Sequence, residues 1–572
     1  MKFRWSIAPT QPLLTQRLAG ELRTSPLLAQ CLVNRGLTEP AGAADFLAPR
    51  LKGLSDPFEL PDMTAAVDRL CRARSRAEPI VIFGDYDVDG VTSTALLGEV
   101  LTALGWTVHP YLPHRLEEGY GLSQEGVENC LRQFPTGLLL AVDCGSTAVA
   151  TIDWLRQRNI DVIVLDHHQV SRPPPAAVAL VNPQLAGDST PPFHGLCSVG
   201  LAFKLAHALV KRGRDAGDQA AQDFDLRPLL DLVALGTVAD LVPLTGENRV
   251  LVTAGLQRLE CTQRPGLIAL KSVAAVTAPI GGYEVGFQLG PRLNAAGRLE
   301  TAAESLRLLQ AGSLEEAEPL ARDLDARNRE RQKIERGIAE EVIGAVRAKF
   351  DPETDYVIVE GQLLWHIGVV GIVASRVLRE FHRPTIILGG DGREWRGSGR
   401  SIEGFDLAGA LRECGDLLLR HGGHAMAAGL SLLPDNVDSL RRRLDELARR
   451  TLTREQLQPS LRLDAEVSFQ ELSLERVTEL QRLEPVGQGN PPVQVAVRGL
   501  RLHRPPLRMG RQQQHARLLV TDGSGVGEVV WWNCGGERFP TAPFDLAVAP
   551  RINEYKGARS VQLRLLDWQP SG

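Results

Sequence analysis

Asp85, Asp87 and Asp89 occupy alternate positions of GDYDVDG (84–90), with no lysine or arginine among them. Three like charges within one turn repel at neutral pH, and a cation resolves that repulsion. Asp143 in VDCG and Asp166-His167-His168 in LDHH repeat the pattern, each directly after a strand-length apolar run: IVIF, LLLAV and VIVL. The carboxyl ends of strands in an open parallel sheet share one edge, so acids distant in sequence converge there. Asp240, a lone acid within the apolar GTVADLVPL, needs a partner of its own. Taken singly, an Asp after a strand is commonly a helix N-cap or turn former, and adjacent histidines are ordinary surface or core residues. Structural needs do not explain the same chemistry at three successive strand ends, and the set reads as a metal site.

The triplet also resembles the opening of a calcium-binding EF-hand loop. That loop requires Glu at its twelfth position and flanking helices, whereas here the position holds Leu96 and a strand precedes. Mixed Asp and His ligands suit Mn2+ or Mg2+, and there are more acids than one ion needs. Two ions bridged by a shared carboxylate would use them all. Such a pair activates water and clamps a phosphoryl oxygen, so the implied reaction is phosphoester hydrolysis.

The elements that must position these groups follow from periodicity. Apolar runs at 80–83, 108–112, 138–142, 161–165 and 178–181 alternate with helical stretches at 91–104 and 147–157, which predicts a parallel, helix-covered α/β unit. Ser313 and Glu316 form a capping box for a helix running to Phe350, roughly 50 Å at about 1.5 Å per residue. Its middle, RDLDARNRERQK, shows little apolar face, so the helix reads as a strut between two domains. A smaller α/β unit spans about 352–450, and short β-like runs after about 458 suggest a small barrel.

The chain has 572 residues and a net charge of −5, with 43% apolar and 23% charged residues, which is globular and long enough for several domains. Its eight cysteines are dispersed with no CxxC pair, against zinc modules and a disulfide framework. MKFRWSIAPT lacks the apolar run of a signal peptide, and the expectation is a soluble, cytoplasmic protein without a membrane segment. Charge is unevenly spread: residues 485–572 carry 11 Lys+Arg against 6 Asp+Glu, leaving −10 on the remainder. Arg498, Arg501, Arg504, Arg508, Arg511 and Arg517 punctuate a stretch without any acid between Glu484 and Asp522, and a basic tail on an acidic body is a partner signal.

GDYDVDG, VDCG and LDHH, in this order and spacing, resemble the signature motifs of the DHH phosphoesterase superfamily, and GGHAMAAG resembles its DHHA1 companion domain. More narrowly, YLPHRLEEGYGL, GPRLNAAGRLE, ARNRERQKIE, WHIGVVGIVASR and GSGRSIEGFDL resemble the bacterial RecJ family of single-strand-specific exonucleases. The resemblance implies an N-terminal segment packing on the core (1–75), a DHH domain (76–300), connecting helices (301–350), a DHHA1 domain (351–455) and an oligonucleotide-binding (OB) barrel (456–572). The implied activity is 5′-to-3′ hydrolysis of single-stranded DNA to mononucleotides with two Mn2+ or Mg2+ ions, in recombination and repair. Single-strand-binding protein and a helicase are the implied partners of a monomeric enzyme.

Carried over by motif, Asp87, Asp89, Asp143, His167 and Asp240 would be direct metal ligands, with Asp85 a ligand or a support to one. Asp166 would orient His167, and His168 would face the scissile phosphate. Arg115, Arg298, Ser398 and Arg400 look like phosphate contacts, with His366 and His424 facing the same cleft. Trp531 and Tyr555 are candidate stacking platforms on the barrel, although either Trp531 or Trp532 must point inward if they lie on a strand. Ser198-Val199 departs from the small pair usual in the family, with no expected effect on the ligands. Related enzymes that cleave cyclic dinucleotides or very short oligonucleotides share this metal edge, and some relatives are inactive scaffolds. The barrel and the complete acid set argue against both.

Overall fold

The computed structural model describes residues 3–114, 118–119, 121–187, 190–299, 301–390, 393–541 and 543–571. Arg115 lies outside the described residues. Four apolar residues at Ile80–Phe83 and five at Leu138–Val142 are buried throughout, as strands covered on both faces must be. They sit inside a five-stranded parallel sheet, with Val108–Tyr111 beside Ile80–Phe83 on one side and Asp161–Leu165 and Ala179–Val181 beyond Leu138–Val142 on the other. The helices Val88–Ala103, Ser198–Asp215 and Leu230–Ala239 bury one face of this sheet in the largest apolar core.

The helix Leu314–Lys349 joins this unit to the next. Ser313 Oγ accepts the Glu316 N–H at 3.2 Å, but the Glu316 carboxylate reaches past Ser313 to the Gly312 N–H, so only half of the expected capping box forms. Ala317, Ala321 and Leu324 belong to the first core; Ile338, Val342 and Val346 belong to a separate core with Val370, Val373 and Ile387. Between them one stripe of the strut is covered, while Arg329, Glu330, Gln332 and Lys333 are exposed. Asp325, Asn328, Arg331 and Glu335 are buried, and ion pairs from Arg292 to Asp325 (3.0 Å) and from Arg376 to Glu335 (2.5 Å) compensate the buried carboxylates.

The second sheet is mixed, with Ile358–Leu363 parallel to Thr385–Gly390, followed by antiparallel Trp395–Arg400, Ala427–Leu432 and Leu418–His424. The C-terminal strands close on themselves: Val495–Leu502 pairs with Phe544–Tyr555 and also with His515–Thr521, while Val526–Trp531 and Ala558–Pro570 complete a five-stranded barrel. The N-terminal segment divides. Met63–Ser75 packs on the parallel sheet through Met63, Val67 and Leu70, whereas the helices Pro12–Leu22, Pro26–Asn34 and Pro40–Leu47 share a core with the barrel. Arg249, only 1% exposed, ties the three parts together. It donates to the carbonyls of Phe46, Arg482, Leu483, Glu484 and Pro485 at 2.6–3.3 Å and stacks on the Phe46 ring. Among the described residues, no helix is long and apolar enough to cross a membrane.

Candidate metal centre and substrate cleft

The turn after Ile80–Phe83 is tight because Gly90 leaves room for it: a Cβ there would stand 2.5 Å from the Asp85 carbonyl oxygen. Asp87 caps the helix Val88–Ala103, with Oδ1 accepting from the Asp89 and Gly90 N–H groups at 2.9 and 3.1 Å. The ordinary N-cap role and a ligand role therefore coexist, since Oδ2 is not used by the cap. Asp85 and Asp143, both 2% exposed, lie with Asp87 in a group whose ligand atoms are all within 4.8 Å of one another. Asp143 holds φ at +64°, a left-handed conformation costly for a residue with a Cβ and characteristic of strain kept at a working site.

His167 is the focus. Its Nε2 stands 3.5 Å from Asp240 Oδ2, 3.6 Å from Asp143 Oδ1 and 3.9 Å from Asp89 Oδ2. Nε2 and Asp240 Oδ2 are both buried, and neither has a hydrogen-bond partner among the described residues. Three carboxylates face the nitrogen beyond hydrogen-bond reach, an arrangement costly on its own. It suits a shared cation, because donors about 2.1 Å from one ion stand roughly 3–3.5 Å apart. The residues present thus fit divalent metal. Cys197 Sγ lies within the same reach of Asp89 and Asp240, but burial holds its thiol well above the ordinary range and it hydrogen-bonds Thr237 Oγ1. Oxygen and imidazole remain as the donors.

Protonation supports the same conclusion. Burial, followed by the Asp87 charge, raises Asp89 to about 7; burial, then Asp89 and Asp87, raise Asp240 to about 9. Asp143 rises well above the carboxylate range through burial and the charges of Asp89, Asp87, Asp85 and Asp240. Burial and the neighbouring His168 lower His167 to about 4, leaving it neutral and able to donate a lone pair. In the unfolded chain the carboxylates ionise near 4. From there upward the unfolded chain releases protons that the cation-free centre retains, so the folded state loses stability as pH rises through about 7 to 9. His168, raised to about 9, acts in the same direction, since its contribution is full below about 6.5 and lost through 9. The depressed His167 acts only below about 6.5. Chelated protein should therefore lose several degrees of thermal midpoint between pH 6.5 and 9, and saturating Mn2+ should abolish most of that slope; calorimetry with EDTA or Mn2+ checks it.

Two expectations are corrected here. Asp166 orients His168, not His167: Oδ1 meets His168 Nδ1 at 2.8 Å and also accepts the N–H groups of His167 and His168, while Oδ2 accepts that of Ser146. Only the backbone of His167 is held by this carboxylate. Burial opposes the charge on the His168 ring, yet the Asp166 hydrogen bond and charge outweigh it and favour the imidazolium. Ser198 and Val199, expected to leave the ligands untouched, hold them directly. Their N–H groups donate to Asp89 Oδ2 and Oδ1 at 2.7 and 2.8 Å, and Ser198 Oγ donates to Asp143 Oδ1 at 2.8 Å. These are the unsatisfied first N–H groups of the helix Ser198–Asp215, a natural seat for a carboxylate. The apolar pattern beginning at GLAFKLA marks that helix start, and the free N–H groups it implies are the signal for this seat. Ser198→Ala should weaken Mn2+ binding about 10- to 100-fold in titration calorimetry without changing the fold.

Across from the centre, the second domain presents its Gly-rich motifs. Arg400 Nη1 donates to Ser398 Oγ at 2.9 Å, and a Cβ on Gly371 would meet both side chains within 3.1 Å. Arg298 reaches the Gly368 carbonyl at 3.4 Å, and the Gly368 N–H donates to His366 Nδ1 at 3.1 Å. His424 is close enough for its charge to bear on His167. Arg298 of the first domain thus meets the second at Gly368 beside His366, while Ser398 and Arg400 pack together at Gly371 and His424 bears on His167. The barrel differs from expectation in detail: Trp531 turns inward against the core and Phe539, while Trp532 is 48% exposed. Trp532, which follows the strand Val526–Trp531 in a turn, is therefore the outward-facing ring of the pair. Tyr555, 67% exposed, sits at the far hairpin. Of the six arginines in the acid-free stretch, Arg498 is paired with Glu466 and Asp545, Arg517 with Glu528, and Arg508 bonds backbone carbonyls, which leaves the exposed Arg501, Arg504 and Arg511 to add their charge to that of other exposed basic residues of the barrel such as Arg538 and Arg559.

The DHH family N-terminal domain matches residues 79–237, the DHHA1 domain matches 354–450, and the RecJ OB domain matches 463–567. The single-stranded-DNA-specific exonuclease RecJ of Bacillus subtilis (strain 168) is 37% identical over 99% of this chain and 71% of its own length. The protein of the same description from Escherichia coli (strain K12) is 36% identical over 96% of each. The crystal structure of RecJ in complex with Mn2+ from Thermus thermophilus superposes with a TM-score of 0.84 at 30% identity, covering 100% of this chain and 80% of that one. A complex of that protein with Mg2+ gives a TM-score of 0.78 at 29% identity, covering 100% of this chain and 79% of that one.

Proposed function

The chain belongs to the RecJ family of single-stranded-DNA-specific exonucleases, and we propose that it hydrolyses single-stranded DNA from the 5′ end to mononucleotides, in recombination and repair. The observation that carries this reading is His167 Nε2, ringed at 3.5–3.9 Å by oxygens of Asp89, Asp143 and Asp240. Asp87, Asp89, Asp143, His167 and Asp240, with Asp85 beside them, would hold two Mn2+ or Mg2+ ions. Bound there, the ions supply an activated water and neutralise charge on the phosphoryl oxygens.

The remaining steps fall to the chain. Asp166 keeps the His168 proton on Nδ1 turned inward, so the other ring nitrogen presents an N–H to a phosphoryl oxygen as negative charge develops. The helix N-terminus at Ser198 and Val199 fixes the Asp89 carboxylate before substrate arrives. Arg298, Arg400 and Ser398, with His366 and His424, would grip the terminal phosphates, and Arg115 has the right chemistry to join them. Trp532 and Tyr555 would stack bases at the barrel. The residue spans 76–300, 351–455 and 456–572 would serve as catalytic, clamping and strand-holding domains. By resemblance, the enzyme would work in the cytoplasm as a monomer alongside single-strand-binding protein and a helicase.

The test is release of mononucleotides from labelled single-stranded DNA with Mn2+, beside duplex DNA, short RNA and a cyclic dinucleotide. Preference for the single strand is expected; digestion of the small substrates alone would overturn the reading. Because the N-terminal helices and Arg249 are buried against the barrel, deleting the barrel would expose them, and surface substitution probes its role better. Replacing Arg501, Arg504 and Arg511 by Gln should flatten the salt dependence of long-strand binding by about 2 in log–log slope, at roughly 0.7 per phosphate, and change trinucleotide hydrolysis little.

A further inference from the structure

Tyr283 and Phe287 are 63% and 70% exposed, and their rings stack at 5.1 Å with planes 27° apart. Tyr283 immediately precedes and Phe287 lies within a π-helical segment, Glu284–Leu289, whose Val285 and Leu289 are buried and anchor it. π-Helical turns are rare and concentrate at functional sites. This one runs between two places that matter. On one side it packs along the end of the helix that carries Asp240: a Cβ on Gly286 would lie 3.9 Å from Val238, and one on Gly290 3.4 Å from Ala239. On the other, a Cβ on Gly282 would lie 3.1 Å from the Val486 carbonyl, in the segment leading into the barrel. The following helix, Gly290–Leu299, contributes Asn294, which holds the Val88 N–H at 3.2 Å, and Arg298 at the interdomain contact. Leu241, directly after Asp240, is a third exposed apolar side chain at this rim, 73% exposed and held outward at φ +61°.

Two rigid rings turned to solvent beside a phosphodiester-cleaving centre, on the way to an oligonucleotide-binding barrel, leave apolar area uncovered that a soluble fold otherwise buries. We propose that Tyr283 and Phe287 form a stacking subsite for unpaired nucleobases between the metal centre and the barrel. The inference rests on the reading of the centre as a single-strand nuclease. The occupant is a base and not an apolar peptide because the segment that bears the rings packs on one flank against the end of the helix leading to Asp240 and on the other against the barrel linker. Base–aromatic stacking is sequence-tolerant, as a general exonuclease requires, and a duplex keeps its base faces covered, so the subsite also discriminates against double strands.

The experiment is an abasic scan. Oligonucleotides about 15 nucleotides long, each lacking one base at successive positions from the 5′ end, are hydrolysed with Mn2+ by the full-length enzyme and by Y283A/F287A. At one or two internal positions the missing base should raise KM about tenfold for the parent enzyme. The double variant should show the raised KM on the intact strand and no further loss at those positions, while the ring-retaining Tyr283→Phe and Phe287→Tyr restore the position dependence. A flat profile in a fully active parent enzyme, or an unchanged profile in Y283A/F287A, would overturn the subsite. A parent enzyme that releases no mononucleotide from any single strand would instead sink the nuclease reading. If the double variant fails to fold, the single variants Tyr283→Ala and Phe287→Ala carry the same test.

Discussion

Asp143→Ala lowers the rate of single-strand hydrolysis at saturating Mn2+ by more than about 1,000-fold. The carboxylate belongs to two of the potential ligand groups at once, with Asp85 and Asp87 on one side and with His167 and His168 on the other. Its loss leaves both groups incomplete, and metal assistance is worth several kcal/mol at about 1.36 kcal/mol per factor of ten. The fold should survive. Removing a buried acid crowded by four other carboxylates relieves repulsion in the cation-free protein, so the thermal midpoint with EDTA should be unchanged or higher than that of the parent. The two readouts move apart only if Asp143 is a ligand; a structural Asp143 would lower the midpoint along with the rate. A variant within tenfold of parent activity would contradict the assignment.

His168→Ala should lower kcat about 100- to 1,000-fold with little change in KM, the loss expected when one donor to a developing oxyanion is removed. The Asp166 carboxylate fixes His168 through Nδ1, so the ring is set before substrate arrives and its contribution appears in the transition state. Single-turnover rates on a 5′-phosphorylated strand measure this directly. His168→Gln, which keeps an N–H donor at a similar reach, should recover part of the loss. An equal fall in metal affinity would instead make His168 a ligand, and metal titration of the same variant distinguishes the two.

The catalytic centre is legible in the sequence to an unusual degree because strand ends in a parallel sheet share an edge. IVIF, LLLAV and VIVL mark those ends, so the sequence alone brings Asp85, Asp87, Asp89, Asp143 and His167 together. What escapes are interactions that side-chain identity does not encode. The Ser198 and Val199 N–H groups seat Asp89 through their position at a helix start, and any residues there would offer the same donors. Sequence reasoning assigns Asp166 the wrong histidine because the two stand side by side in the chain, and only the ring directions tell them apart. The buried stripe Asp325–Glu335 reads as solvated because its partners, Arg292 and Arg376, come from two other elements. The union of the first helices with the barrel joins segments more than 400 residues apart, a contact no local pattern reports. Trp531 ends the strand Val526–Trp531 and Trp532 opens the turn after it, so strand alternation does not apply to the pair and choosing between them requires knowing where that strand stops.

Acids spread over about 150 positions, from Asp85 to Asp240, would meet to hold a pair of divalent ions. Anomalous scattering from a crystal of this protein soaked in Mn2+ tests this most directly. Two peaks roughly 3.5–4 Å apart are expected, contacted by Asp87, Asp89, Asp143, His167 and Asp240, with His167 Nε2 on one of them. An empty centre at full Mn2+ occupancy elsewhere, or peaks bound without His167 and Asp143, would contradict that expectation.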